Sequence, residues 1–205
     1  MGGLPWHDDF GRSNTSTSGR DGGTITNPVN PVNSGKSVSG NVSGEAAWSD
    51  VPAGRPWRYI VIHHSATPFG SAAEFDVMHK ARGWEGLGYH FVIDNGNGGP
   101  DGRVEVGFRW RQQKQGAHTG HTPDNEYNEH GIGVCLVGDF SHHLPSQKQL
   151  AAMHRLVSYL AARYDIPPGR IIGHRDAPNA STECPGDALH AYIHSTGFHT
   201  LIARR

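Results

Sequence analysis

The sequence predicts an α/β fold: a mixed central β-sheet flanked by helices, in a single domain behind a flexible N-terminal tail. Three observations predict it. Runs with strand character alternate with runs at helical spacing. One pair of alternating runs is joined by a Gly/Asn-rich turn, the mark of a hairpin. One further run, "GIGVCLVGDF" at 131–140, is apolar almost throughout, as a strand covered on both faces must be.

Each element has its own local warrant. Residues 11 to 45 are dominated by Ser, Gly, Asn and Thr and carry too little apolar surface to offset their ordering entropy. The tail is therefore taken as 1–50 and the folded domain as 51–205, with the texture changing from Trp48 onward. "WRYIVIHHSA" (57–66) is rich in Tyr, Ile and Val and reads as a strand. "SAAEFDVMHKARG" (71–83) offers Ser71 as N-cap, Phe75 and Met78 at helical spacing, and Gly83 as a stop. Residues 87–108 read as the hairpin. "SQKQLAAMHRLVSYLAARYD" (146–165) is the clearest helix, with Leu150, Met153, Leu156, Val157, Leu160 and Tyr164 on one face. "RIIGH" (170–174) reads as a short strand delivering His174 to a sheet edge. Residues 185–197 start a last helix, with Pro185 near its first turn. Met78, Met153 and Trp84 are expected in the core.

Composition narrows the function classes. The 205 residues carry a net charge of −1, so no broad cationic surface for nucleic acid or anionic lipid is implied, and no nucleic-acid partner is expected. No run approaches the roughly 18 apolar residues that span a bilayer. The opening "MGGLPWHDDFGRSN" lacks a basic stretch followed by an apolar one, so no secretory leader is expected, and Trp6 breaks the myristoylation pattern. The compartment stays undetermined, and a monomer is expected. Two cysteines do not make a disulfide framework. Cys135 lies in the apolar strand and reads as a small core hydrophobe, whereas Cys184 lies in a polar loop before Pro185. The 15 histidines stand out, where roughly 4 to 6 would be ordinary. Most read as solvated surface residues, and some of the excess is available for chemistry near neutral pH.

"GHRDAPNASTECPGDAL" (173–189) sets His174 and Cys184 ten positions apart. Zinc takes imidazole nitrogen and thiolate sulfur, and a catalytic zinc uses three protein ligands. His174 at a strand end and Cys184 in the following loop supply two. The third comes from His63 or His64, which close the strand at 57–66. Alternation puts Tyr59, Val61 and His63 on one face and Ile60, Ile62 and His64 on the other. Periodicity does not choose between the two histidines.

The segments "VIHHSAT", "GLGYHFVID", "GAHTGH", "IGVCLVGDF", "IIGHRDAP" and "STECPGD" occur in the order seen in type 2 N-acetylmuramoyl-L-alanine amidases, a class that includes phage lysozyme-type amidases and peptidoglycan recognition proteins. The chain resembles that family over about residues 56–197. The resemblance implies a zinc ion held by His63, His174 and Cys184. It implies Tyr89 as the tyrosine beside the reacting centre and Thr182 at a position that is Lys in phage enzymes. It implies His118 as a groove residue near the substrate, with His64 a further substrate-binding candidate. His64, His90 and His130 otherwise read as structural or surface residues. Cys135 falls where another branch of the class carries a catalytic Glu, which leaves the general base unassigned. The implied activity is hydrolysis of the amide between N-acetylmuramic acid and L-alanine in peptidoglycan. The implied alternative is a peptidoglycan-binding module without catalysis, whose members typically lack the zinc cysteine.

Overall fold

The computed structural model of the protein describes residues 46–51 and 54–203. The expected tail lies outside the described residues up to residue 45. Beyond it a short helix, α1 (Ala46–Ser49), brings Trp48 into the core, where Trp110 Nε1 donates a 3.1 Å hydrogen bond to the Trp48 carbonyl.

Among the described residues the expected mixed sheet has five strands. These are β1 (Tyr59–His64), β2 (Phe91–Ile93), β3 (Val104–Val106), β4 (Gly131–Leu136) and β5 (Ile171–Gly173), in the spatial order β3-β2-β4-β1-β5. β1 runs parallel to both β4 and β5, β2 is parallel to β4, and only the β2–β3 hairpin is antiparallel. β4 sits at the centre and every residue in it is buried, which explains its unbroken apolar character.

The alternation of each strand sorts its side chains between two layers. Ile60, Ile62, Phe91, Ile93, Ile132, Val134 and Leu136 join the larger core cluster. There they meet α5 (Gln147–Arg163), which contributes Leu150, Met153, Leu156, Val157 and Leu160, the face expected from its spacing. Fully burying one such side chain is worth about 1.5–3 kcal/mol. A capping box holds the start of α5: Ser146 Oγ accepts from the Gln149 N–H at 3.0 Å, and Gln149 Oε1 accepts from the Ser146 N–H at 3.2 Å. On the other layer Val92, Cys135 and Val137 pack with Leu87 and with Phe75 of α2 (Ala72–Ala81). Short helices α3 (Phe108–Arg111) and α4 (Glu126–Glu129) punctuate the long connection from β3 to β4.

Two expectations change. The last helix divides into α6 (Asp187–Ile193) and α7 (Thr196–Ala203). The break falls at Ser195, whose Oγ accepts from the Phe198 N–H at 3.2 Å and so starts a new helix in place of continuing the old one. Met78 and Trp84 are not core residues, whereas Met153 is. The inward side of α2 is carried by Phe75 and His79, one turn apart, which leaves Met78 36% exposed at a cavity rim and Trp84 half-buried beside it. No helix among the described residues is long and apolar enough to cross a membrane.

Candidate metal centre and groove

Parallel pairing delivers the C-terminal ends of β1 and β5 to the same edge of the sheet, where open α/β sheets form their sites. β1 ends with His63 and His64. β5 is followed at once by a 3-10 turn, His174–Asp176, that opens with His174. The loop after that turn returns to bring Cys184 alongside. His63 is buried, its Nδ1 lies 3.6 Å from Cys184 Sγ, and its ring centroid is 4.7 Å from that of His174. One ligand atom from each of His63, His174 and Cys184 falls within 4.8 Å of the other two. Two imidazole nitrogens and a thiol at this spacing can hold one metal ion, and the set suits a borderline-soft cation such as zinc. Both cysteines are free of disulfides.

The surroundings of Cys184 suit a sulfur that carries negative charge. The His64 backbone N–H donates to Sγ at 3.4 Å. Thr182 Oγ1 accepts from the Cys184 N–H at 3.1 Å and so fixes the backbone that carries the sulfur. Thr182 is not the cap of α6: that position is Gly186, which has no side-chain cap.

His118 sets the tautomer of His63. The Gly131 carbonyl, 3.2 Å from His118 Nε2, can only accept, so Nε2 carries the proton. His118 is held neutral, chiefly by burial and then by nearby His90, with the Gly131 hydrogen bond opposing. Its Nδ1 is therefore an acceptor, shared by the Thr119 hydroxyl at 2.8 Å and His63 Nε2 at 3.1 Å. His63 must donate through Nε2, which leaves the Nδ1 lone pair directed toward Cys184. Burial, then His174 and His118, hold His63 well below the usual histidine range, in the form that can bind a metal.

The room for this arrangement comes from two glycines. A Cβ at Gly133 would lie 2.5 Å from His118 Cδ2, and one at Gly116 would lie 2.3 Å from the same atom. Asn128 braces the loop: its Oδ1 accepts from the N–H groups of His118 at 2.8 Å and Thr119 at 3.0 Å, and its Nδ2 donates to the Thr119 carbonyl at 2.8 Å. Asn128, Gly116 and Gly133 were not among the expected site residues, and no spacing signal marks them.

The triad lines a cavity of about 700 Å³ together with the other expected residues, His64, Tyr89, His118 and Thr182. The Tyr89 ring lies 5.1 Å from His63 and 6.5 Å from His118, nearly parallel to the latter. Burial pushes the Cys135 thiol up, Cys184 adds to this, and a hydrogen bond with Tyr89 opposes it. Cys135 is thus a fully buried thiol of the second core cluster, registered beside His63. The His64 imidazole faces another way from His63: its Nδ1 accepts from the Phe140 N–H at 3.3 Å, and Asp139 Oδ1 lies 3.8 Å off. His118 is buried against His63, so its contact is first with that imidazole and only then with the groove. The walls that sequence reasoning missed include His79 and Arg82 on the α2 side and Asp139 opposite.

A family model described as N-acetylmuramoyl-L-alanine amidase matches residues 53–187. The chain is 32% identical over 154 residues to the N-acetylmuramoyl-L-alanine amidase of Sus scrofa, an alignment that covers 69% of this chain and 23% of that protein. It is 35% identical over 149 residues to peptidoglycan recognition protein 1 of Bos indicus, covering 68% of this chain and 72% of that one. Among solved structures it is similar to a variant of the Drosophila protein PGRP-LB in complex with tracheal cytotoxin. There the TM-score is 0.54 and the identity 28%, over 74% of this chain and 92% of that chain.

Proposed function

The chain belongs to the N-acetylmuramoyl-L-alanine amidase family, and from that premise we propose that it is a zinc-dependent amidase. Its substrate is peptidoglycan, and the bond it hydrolyses joins N-acetylmuramic acid to the L-alanine of the stem peptide. One observation carries the reading: His63, His174 and Cys184 meet with their donor atoms within 4.8 Å, on the wall of a cavity of about 700 Å³. That volume suits a ligand the size of a muropeptide fragment. The Drosophila relative bound to tracheal cytotoxin supports the same ligand class.

His63, His174 and Cys184 would hold the ion. When bound, zinc polarises an amide carbonyl and lowers the pKa of a water molecule, which are the two needs of amide hydrolysis. The chain's own groups do the rest. His118 keeps the His63 proton on Nε2, so the lone pair that would face an ion is the one at Nδ1. The His64 N–H stabilises the sulfur as an anion. Thr182, expected among the catalytic residues, acts as a positioning residue through the Cys184 N–H. Tyr89, beside His63, supplies a hydroxyl donor for the negative charge that develops on the carbonyl oxygen. His64, His118 and the cavity walls contribute to seating the substrate.

The test is release of free stem peptide from purified sacculi, with and without a chelator, read by mass spectrometry. Peptides beginning with a free L-alanine amine are expected, and the chelator should abolish them. Sacculi that bind the protein but yield no such peptide would make it a recognition module of the kind named for the bovine relative.

A further inference from the structure

A second set of metal-ligating side chains converges outside the cavity. His190 lies on α6 and His194 is its C-cap, four residues on, so both imidazoles fall on one helix face, with ring centroids 4.5 Å apart. Each turns the same atom toward one carboxylate: His190 Nε2 lies 2.7 Å from Asp176 Oδ1, and His194 Nε2 lies 2.9 Å from Asp176 Oδ2. One donor atom from each of the three lies within 4.8 Å of the other two. We propose that Asp176, His190 and His194 form a second divalent-cation site, for a transition metal of the zinc, nickel or copper class.

The carboxylate is placed without help from the histidines. Asp176 Oδ2 also accepts from the Gly173 N–H at 2.7 Å, inside the 3-10 turn that follows β5. Its oxygens therefore point at α6 as a fixed acceptor pair, and the turn behaves as an outer shell for the ligand. A fixed carboxylate with two imidazoles at helical spacing is a three-donor set of nitrogen and oxygen, which first-row divalent ions bind in preference to magnesium or calcium. The site is reachable, because the side chains of Asp176, His190 and His194 are 26%, 27% and 40% exposed. At such exposure the two His–Asp contacts alone are weakened by solvent and contribute little to stability. The adjacent Arg175 does not oppose an ion there, because it is drawn off to Asp187, at 2.6 Å, and to Glu183. The site shares no ligand with the cavity triad, so it stands apart from the amidase reading. Asp176 lies in the turn that begins with His174, so an ion bound to it ties α6 to the segment presenting a cavity ligand.

The test uses the full chain, stripped by a chelator and then equilibrated with Co²⁺. Bound cobalt is counted by mass spectrometry and the absorption spectrum is recorded. Of the two cysteines only Cys184 lies in a set able to hold a metal, so thiolate-to-cobalt charge transfer reports the cavity triad. Replacing both histidines (His190→Asn with His194→Gln) should remove about one equivalent of cobalt and leave the charge-transfer band. Cys184→Ser should remove the band and leave that equivalent. If the double variant does not fold by circular dichroism, His194→Gln alone, at the helix end, should weaken the same equivalent at least about tenfold. Folded histidine variants that bind as much cobalt as the wild type, as tightly, overturn the proposal and reduce the cluster to ion pairs. Loss of the band with that equivalent retained in the wild type would count against the cavity triad alone.

Discussion

Removing His118 is the sharpest probe of the candidate centre. In His118→Ala the Nε2–H of His63 loses its acceptor at 3.1 Å, in a place where both rings are buried. Two responses are open to His63. It can keep the proton on Nε2 and leave a buried donor unsatisfied, at a cost of about 1–3 kcal/mol. Or it can move the proton to Nδ1, which removes the lone pair facing Cys184. Either way metal binding suffers, and losing a partner of this kind costs about 10- to 100-fold in affinity, or roughly 1.4–2.7 kcal/mol. The assay is competition for Zn²⁺ against a chromophoric chelator on folded protein, with urea unfolding run in parallel to separate affinity from stability. His118→Asn is the control, because its amide oxygen stands close to the position of the lost Nδ1 and accepts the same hydrogen bond; it should recover most of the affinity. If Ala binds zinc within about twofold of the wild type, or if Asn and Ala are equally impaired, the tautomer chain from Gly131 through His118 to His63 does not control the site.

Other perturbations test neighbouring parts of the same structure. Gly133→Ala should crowd the His118 ring, with a Cβ 2.5 Å from Cδ2, and cost about 1–3 kcal/mol in thermal or urea melts as well as zinc affinity. Thr182→Val should lower zinc affinity by about tenfold through the Cys184 backbone, and Thr182→Ser should restore it; equal loss in both would remove the positioning role. His90 gives a pH signature, because burial pushes its pKa down to about 3, against the opposing hydrogen bond to the Lys114 carbonyl. Its unfolded form titrates near 6.5, so between about 6.5 and 3 the unfolded state holds the extra proton. Stability is then fully present above about 6.5 and is lost as pH falls through that window, at about 1.4 kcal/mol per pH unit from this residue. Urea midpoints at pH 7 and 5 should diverge, and His90→Gln should reduce that divergence; an unchanged slope would mean His90 is not the group responsible.

Much of the fold was legible because its signals are local. The faces of α5, the unbroken apolar run of β4 and the hairpin around β2 and β3 follow from side-chain period and turn composition, which the chain states within ten or twenty residues. The division of α6 from α7 was not legible, since Ser195 serves equally as a late helical residue or as a cap. The site divides in the same way. Strand ends pointed to His174 and to the pair His63–His64, and only the motif order favoured His63. In three dimensions His63 turns to Cys184 and His118, while His64 turns to the Phe140 N–H. The contacts that finish the centre join residues 55 and 121 positions apart, a separation at which no periodicity speaks. Asn128 and the glycines at 116 and 133 matter through what they leave room for or brace, and residue type alone does not announce that. Met78 and Trp84 misled because apolar residues line grooves as readily as cores.

The three cavity donors differ in what carries them. His63 belongs to the innermost part of the sheet, next to β4, while Cys184 rides on a connecting segment that meets the sheet edge from outside. A cation shared between them would rivet a peripheral strap to an inner strand beside the fully buried β4. Amides over 177–184 should therefore exchange with deuterium more slowly once metal is loaded, with little change in β4. The strap, not the sheet, would carry the record of whether the ion is present.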